Sequence, residues 1–187
     1  NIPFVVPSAG VAVVFTYDLA SHVLTVRTQA AGATPDLTKQ LAHWLTDDTL
    51  AWNLPDQDRT GWTYRLHWAP EGGFGIDAEA VTGGESAPLT FVGALSPELQ
   101  AQWPHLAAYE ALQLPDKVAK DADEILTGQV AVAAYDDLGR LVDATGVQIP
   151  GALDDVFSGA SDRDLGVTWK GSSPSVALWA PTAKDVD

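Results

Sequence analysis

The sequence predicts an all-β protein, an antiparallel immunoglobulin-like β-sandwich with one to three short helical turns. Three observations predict it. Short segments of alternating apolar character recur along the chain, as in residues 62–69 (WTYRLHWA) and 129–135 (QVAVAAY). Turn-forming clusters separate them, such as EGGFG at 71–75 and DDLG at 136–139. Helical signals are cut short: Ser96-Pro97 starts a helix that must stop before Pro104. Short strands at regular intervals with turn chemistry between them favour two packed sheets.

Taken in order, Val11, Val13 and Phe15 alternate with Ala12, Val14 and Thr16. A turn at 17–21 follows and residues 22–28 (HVLTVRT) return, so 11–28 reads as a hairpin. Residues 30–35 (AAGATP) are small and breaker-rich, the best linker in the chain. Thr34-Pro35 resembles an N-cap followed by a first-turn proline, and Leu37, Leu41 and Trp44 would share a helical face. Residues 41–46 also alternate, so one helical turn is expected near 35–40 and strands from 41 onward, including 49–52.

In 62–69, Trp62, Tyr64, Leu66 and Trp68 share one face and Thr63, Arg65 and His67 the other. A strand over 109–114 ends at Pro115, and a helical turn over 121–126 ends at Thr127-Gly128. Residues 129–135 and 140–145 flank a loop whose last residue is Gly139, a second hairpin. The final strand, 175–180, is stopped by Pro181. A single strand leaves its backbone groups unpaired, so it is expected to belong to a sheet completed by further chain, and the sequence to be a slice of a larger protein. The absence of methionine, an initiator included, fits a processed or excised fragment.

At 187 residues the chain is long enough for one or two domains with a real core. A formal net charge of −15 repels phosphates and argues against nucleic acid and anionic membranes as partners. A neutral ligand such as a sugar is indifferent to that field. No apolar run approaches the roughly 20 residues that span a bilayer. Without cysteine there are no disulfides, thiolate nucleophiles or zinc–thiolate sites, and the compartment stays open between export and cytosol.

Candidate chemistry is sparse. A glycosidase needs two carboxylates facing across a cleft, roughly 5–10 Å apart. The adjacent pairs Asp47-Asp48, Asp136-Asp137 and Asp154-Asp155 fall in turns and read as solvated loop charge. No G-x-S-x-G and no H-E-x-x-H occurs, and His22, His43, His67 and His105 are scattered. The glycines at 72–75 precede neither a crossover helix nor a P-loop lysine. Asp121 with Asp123 and Asp162 with Asp164 have calcium-like spacing but lack the glycine and distal glutamate of a complete loop. The stripe Trp62, Tyr64, Trp68 remains as the candidate carbohydrate-binding surface, because aromatic faces stack on the C–H faces of sugar rings. The competing reading is that these residues face a sandwich core.

Three stretches together carry a resemblance: AHWLTDDTLAWNL (42–54), GQVAVAAYDDLGRLVDATGVQIPGALDDVF (128–157), and LGVTW with SVALWAPTAKDV (165–186). They resemble the N-terminal region of bacterial pullulanases and plant limit dextrinases, starch-debranching enzymes of glycoside hydrolase family 13. The resemblance implies an all-β second N-terminal (N2) domain over 30–158. Residues 1–29 resemble the last strands of an upstream E-set module, and 159–187 the first strands of a family-48 carbohydrate-binding module. It further implies a non-catalytic accessory role, because the family's nucleophile, acid/base and transition-state carboxylates lie in a catalytic barrel outside this sequence. No catalytic residue and no metal ligand is assigned here. No cofactor is expected for this stretch, calcium being a candidate only for the parent enzyme. The implied partners are α-glucans (pullulan, limit dextrin) through the parent, and the parent's catalytic barrel and neighbouring modules by packing. The implied location is secreted or at a bacterial cell surface. In VQIPGALDDVF, Pro150 and Gly151 stiffen the exit, and Val156 with Phe157 forms an apolar pair suited to docking on a neighbour.

Overall fold

In the computed structural model, which describes residues 11–30, 35–54, 59–77 and 80–185, the alternating segments pair as strands. β1 (Val11–Asp18) and β2 (Val23–Ala30) form the first hairpin, in unbroken antiparallel register from Val11 opposite Ala30 to Asp18 opposite Val23. β3 (Asp36–Trp44), β4 (Thr49–Trp52) and β5 (Thr63–Ala69) follow, then the two-residue strands β6 (Gly75–Ile76) and β7 (Val81–Thr82), and β8 (Glu85–Ala94). Next come α1 (Pro97–Gln102), β9 (Glu110–Gln113), α2 (Asp116–Lys120) and α3 (Ala122–Ile125). β10 (Gln129–Tyr135), β11 (Leu141–Gln148) and α4 (Pro150–Val156) lead to a last hairpin, β12 (Gly166–Lys170) and β13 (Ser173–Ala177).

Seven of these strands close on themselves. Their order is β10–β11–β3–β4–β9–β8–β5, and β10 pairs with β5 to shut the ring. The all-β prediction therefore holds, but the expected pair of sandwiched sheets is instead one closed barrel with one parallel pair, β3 beside β11. Closure demands sharp local bending, and the register breaks supply it, at Phe91/Gly93 between β8 and β9 and at Thr145/Gly146/Val147 between β11 and β3.

The parallel pair also overturns the helical turn expected at 35–40. Asp36 instead accepts hydrogen bonds from its neighbour, from Thr38 N–H at 3.0 Å and Thr38 Oγ1 at 2.6 Å. The chain then runs as β3, held at long range by Thr145, whose Oγ1 accepts from Leu41 N–H (3.0 Å) and donates to Lys39 O (3.1 Å). Sheet pairing outweighs an N-cap signal that is purely local. The linker expected at 30–35 falls mostly outside the described residues. The strand expected at 175–180 starts and ends earlier, as β13, and it is paired with β12.

The core fills the inside of the barrel. Leu50 and Trp52 of β4, Leu66 of β5, Leu112 of β9, and Val130 and Val132 of β10 point inward with Trp44 of β3. Two smaller clusters lie outside the wall. Beneath α1, Leu45, Ala51, Leu95, Leu106 and Ala111 pack with Trp103 and Tyr109. Ser96 caps that helix by accepting from Leu99 N–H at 3.3 Å, as the Ser-Pro start predicts. Beside the β6–β7 hairpin, Val81, Ala133, Tyr135 and Ala144 pack with Phe74 and Leu37.

His67 is buried at that second cluster, with Nε2 3.3 Å from the Tyr135 hydroxyl and Phe74 edge-on to its ring. Burial, and secondarily the Arg65 guanidinium, push its imidazole down to about 4. Burial pushes the Asp143 carboxyl of β11 up to about 6, against the Ala144 N–H and the Lys39 ammonium. The two groups act on stability in opposite senses. Between about pH 4 and 6.5 the unfolded chain protonates His67 while the folded one resists, so this contribution is lost on acidification. Over about pH 4 to 6 the folded state holds the Asp143 proton more tightly, so that contribution is lost as pH rises. Relative to the parent sequence, Asp143→Asn is expected to gain about 2 kcal/mol at pH 7, and His67→Gln to lose less on acidification to pH 4.5. Denaturant midpoints measured from pH 4 to 7 check both; a pH-independent difference for either variant contradicts the assignment.

Candidate functional site

β5 carries Tyr64 and Trp68 of the three aromatic residues singled out by the sequence, and Trp62 immediately precedes the strand. Tyr64 is buried in the barrel core, and Trp62 and Trp68 are half-buried and packed against that core. The other face points away from the barrel interior, where His67 is covered by Phe74 and Tyr135. Tyr64 stacks on Phe91 of β8 at 5.8 Å between ring centroids and 25° between planes. The Arg59 guanidinium lies 5.2 Å above the same Phe91 ring and forms a two-pronged ion pair with Glu110. Burial raises the Tyr64 phenol, which is therefore neutral at physiological pH.

Trp68 has different surroundings. It sits opposite Val130 on one side and Glu85 on the other, at the end of β5. There it forms one wall of a cleft of about 520 Å³. Ala87 continues that wall, and α2 and α3 supply the facing one through Val118 and Ile125, with Lys117, Asp121 and Glu124 around them. Trp62 and Tyr64 are not among the lining residues. The three aromatics thus do not act as one row: all three pack on the barrel core, and of them Trp68 alone also opens on the cleft. The α2 side was missed by the sequence because Pro115 reads as the stop of β9. It is also the extended N-cap of α2, followed by Asp116 in the first turn, and that Pro-Asp start is the signal that could have found it.

One carboxylate of each adjacent pair ties the fold together, and the pair Asp154-Asp155 lies in α4 rather than in the turn the sequence suggested. Asp48 accepts from Thr49 Oγ1 (2.6 Å), Thr46 Oγ1 (3.0 Å) and Gln113 Nε2 (3.3 Å), and the Thr49 bond chiefly holds it below the usual carboxylate range. Asp136 accepts from Leu138 N–H and Arg140 N–H at 2.9 Å each and pairs with the Arg140 guanidinium, closing the β10–β11 turn. Asp155 of α4 accepts from Asp47 N–H at 2.8 Å and so ties α4 to the β3–β4 loop. On the outer wall His43 meets His105 and Tyr109 edge-on, at 6.3 and 5.7 Å, and burial lowers its imidazole. Among the described residues no group of three or more His, Asp or Glu side chains could hold a metal ion, and no helix is long and apolar enough to cross a membrane.

A second feature lies beyond the barrel. After α4, Phe157 meets Trp179 edge-on, with centroids 5.8 Å apart and planes at 85°. The two rings share a second cleft of about 520 Å³ with Leu153 and Leu165. Further along, the Lys184 ammonium donates to the Pro70 carbonyl and pairs with Glu71 at 2.8 Å. The segment after β13 thus touches the C-cap residue of α4 at one point and the turn after β5 at another.

Comparison with known proteins agrees with this architecture. A chloroplastic pullulanase from Arabidopsis thaliana is 31% identical over 150 residues, 78% of this chain and 14% of the relative. A pullulanase from Klebsiella pneumoniae is 36% identical over 155 residues, 78% of this chain and 13% of the relative. The chain thus spans about a seventh of the length of these relatives. A crystal structure of the Klebsiella pneumoniae pullulanase complexed with maltotriose superposes with a TM-score of 0.69 at 30% identity, over 79% of this chain and 14% of that one. The family model described as the pullulanase N2 domain matches residues 39–155, which take in all seven barrel strands except the first three residues of β3, and most of α4. By that match, over more than half its length, the chain belongs to the pullulanase N2 domain family.

Proposed function

We propose that this chain is a non-catalytic accessory part of a starch-debranching enzyme, a family-13 glycoside hydrolase cleaving α-1,6 linkages in pullulan and limit dextrins. Its work is mechanical: the barrel holds the segment that follows it in a set orientation, and with it the glucan-binding and catalytic parts of the enzyme. The Phe157–Trp179 contact carries this reading. Trp179 belongs to the LWAPTA motif that resembles the opening of a family-48 carbohydrate-binding module, and Phe157 to the apolar pair at the exit of the N2 barrel. Two aromatic rings in edge-on contact contribute about 0.5–1.5 kcal/mol beyond the area they bury, enough to bias a joint without freezing it.

The test is made in the full-length enzyme. Phe157→Ala combined with Trp179→Ala is expected to lower the melting temperature of the joint and shift preference among pullulan chain lengths. Turnover of a small aryl maltotrioside should stay within about twofold, since no catalytic group is touched. An enzyme lacking residues 36–156 that keeps wild-type stability and chain-length preference would refute the positioning role.

A further inference from the structure

We propose that the cleft between Trp68 and the α2–α3 pair is a binding site for a neutral α-glucan chain, with a glucosyl ring lying against the Trp68 indole. The assignment of an α-glucan rests on the reading above; the site itself rests on the cleft. Its walls are apolar where they are deep: Ala87, Val118 and Ile125 are buried, and Trp68 is partly open beside them. Its rim is polar, with Glu85, Lys117, Asp121 and Glu124 all exposed. Among the described residues, none of these four side chains is engaged in a hydrogen bond or an ion pair.

That combination selects the ligand class. A sugar ring offers an apolar C–H face and a periphery of hydroxyls that both donate and accept. The indole and the aliphatic wall match the face. The three carboxylates accept from hydroxyls and the Lys117 ammonium donates to them, as charge-assisted bonds. A simple anion is opposed by the net charge of −15. A small cation would satisfy the carboxylates but leave the Trp68 wall wet. The volume, about 520 Å³, is in the range of small-molecule sites, about 300–1,000 Å³. A concave cleft also suits the curved path of an α-linked chain better than the flat ribbon of a β-linked one.

The position has a consequence for the joint. Pro70 lines the cleft, and its carbonyl accepts from Lys184 in the segment after β13. A glucan seated on Trp68 therefore lies beside the contact that ties this segment to the barrel.

The experiment is a titration of the 187-residue chain with maltotetraose and, separately, cellotetraose, followed by Trp fluorescence and by backbone amide NMR shifts. Saturable shifts with maltotetraose are expected in residues 117–125 and 68–70, and at least fivefold weaker response to cellotetraose. Trp68→Ala should weaken maltotetraose binding tenfold or more. Because Trp68 also packs on the core, the exposed pair Lys117→Ala with Asp121→Ala is the second variant, expected to weaken binding threefold or more with an unchanged amide spectrum elsewhere. No saturation by 10 mM maltotetraose, equal binding of both sugars, or binding indifferent to the rim variant overturns the proposal. Such a failure leaves the positioning role standing, because that role is tested by the Phe157–Trp179 variants and the deletion in the full-length enzyme.

Discussion

Trp52→Ala is expected to remove about 3–5 kcal/mol of folding stability, the largest single-residue effect in this chain. Trp52 is 1% exposed on β4, opposite Ala42 of β3 and Glu110 of β9, and its ring faces the barrel interior. In a closed barrel the lining side chains come from every direction around the axis, so truncation leaves a void that no neighbouring strand can move in to fill. The transfer term and the cavity term then both apply in full. Domains of this kind are stable by about 5–15 kcal/mol, so the variant would sit close to its unfolding midpoint in mild conditions. A guanidinium titration should show the midpoint falling with the slope unchanged, since the same surface is exposed on unfolding. Leu138→Ala is the control: that residue is 70% exposed in the β10–β11 turn and should cost no more than about 0.5 kcal/mol. A loss below 1 kcal/mol for Trp52→Ala would mean that the interior is not closed around it.

Gly84→Ala comes second, at about 2–5 kcal/mol. The residue lies in the β7–β8 turn with φ +67°, where an L side chain costs about 1–2 kcal/mol by itself. A Cβ built there would lie 2.3 Å from the Trp68 carbonyl oxygen and 3.0 Å from both Ala69 Cβ and Phe74 Cε1. Two of those atoms belong to the end of β5 and cannot be moved without parting β5 from β8, which adds an overpacking cost of about 1–3 kcal/mol. Gly139→Ala separates the two contributions. It has φ +76° but nothing within 4 Å of the built Cβ, so it should show the backbone cost alone. Equal losses at the two sites in thermal unfolding would argue that the close approach of β5 to Gly84 is absent in solution.

What the sequence disclosed, and what it hid, divides by range. The hairpins β1–β2 and β10–β11 were legible because turn chemistry and alternation sit within a dozen residues of each other. β5 was legible because Tyr64, Leu66 and Trp68, with Trp62 just before them, recur at every second position. The Ser96-Pro97 start of α1 is a local device and was read correctly. β3 was misread over its first residues, since its partner β11 lies more than a hundred residues away and the local Thr-Pro signal pointed elsewhere. β8 was not anticipated at all: Pro88 and Gly93 interrupt it, and its ten residues are held by β5 and β9 rather than by their own pattern. The site shows the same division. Trp68 was found by its place in an alternating aromatic stripe, whereas the wall that makes it a cleft comes from α2 and α3, about fifty residues away. Phe157 and Trp179 were each recognised within a motif, but no pattern in the chain announces that their rings meet.

The closing of the ring by β10 has a bearing on how the protein is made. β10 lies between β5 and β11, and β11 between β10 and β3, so the hairpin 129–148 is the last piece of the circle. Translation delivers residues 36–128 first, and until that hairpin clears the ribosome β3 and β5 present bare edges to the crowded cell. The nascent chain is therefore expected to lack a stable intermediate until residues 129–148 are available. The same property turns into a tool. Residues 129–148 supplied as a separate peptide to a chain ending at Gly128 should complete the circle in trans.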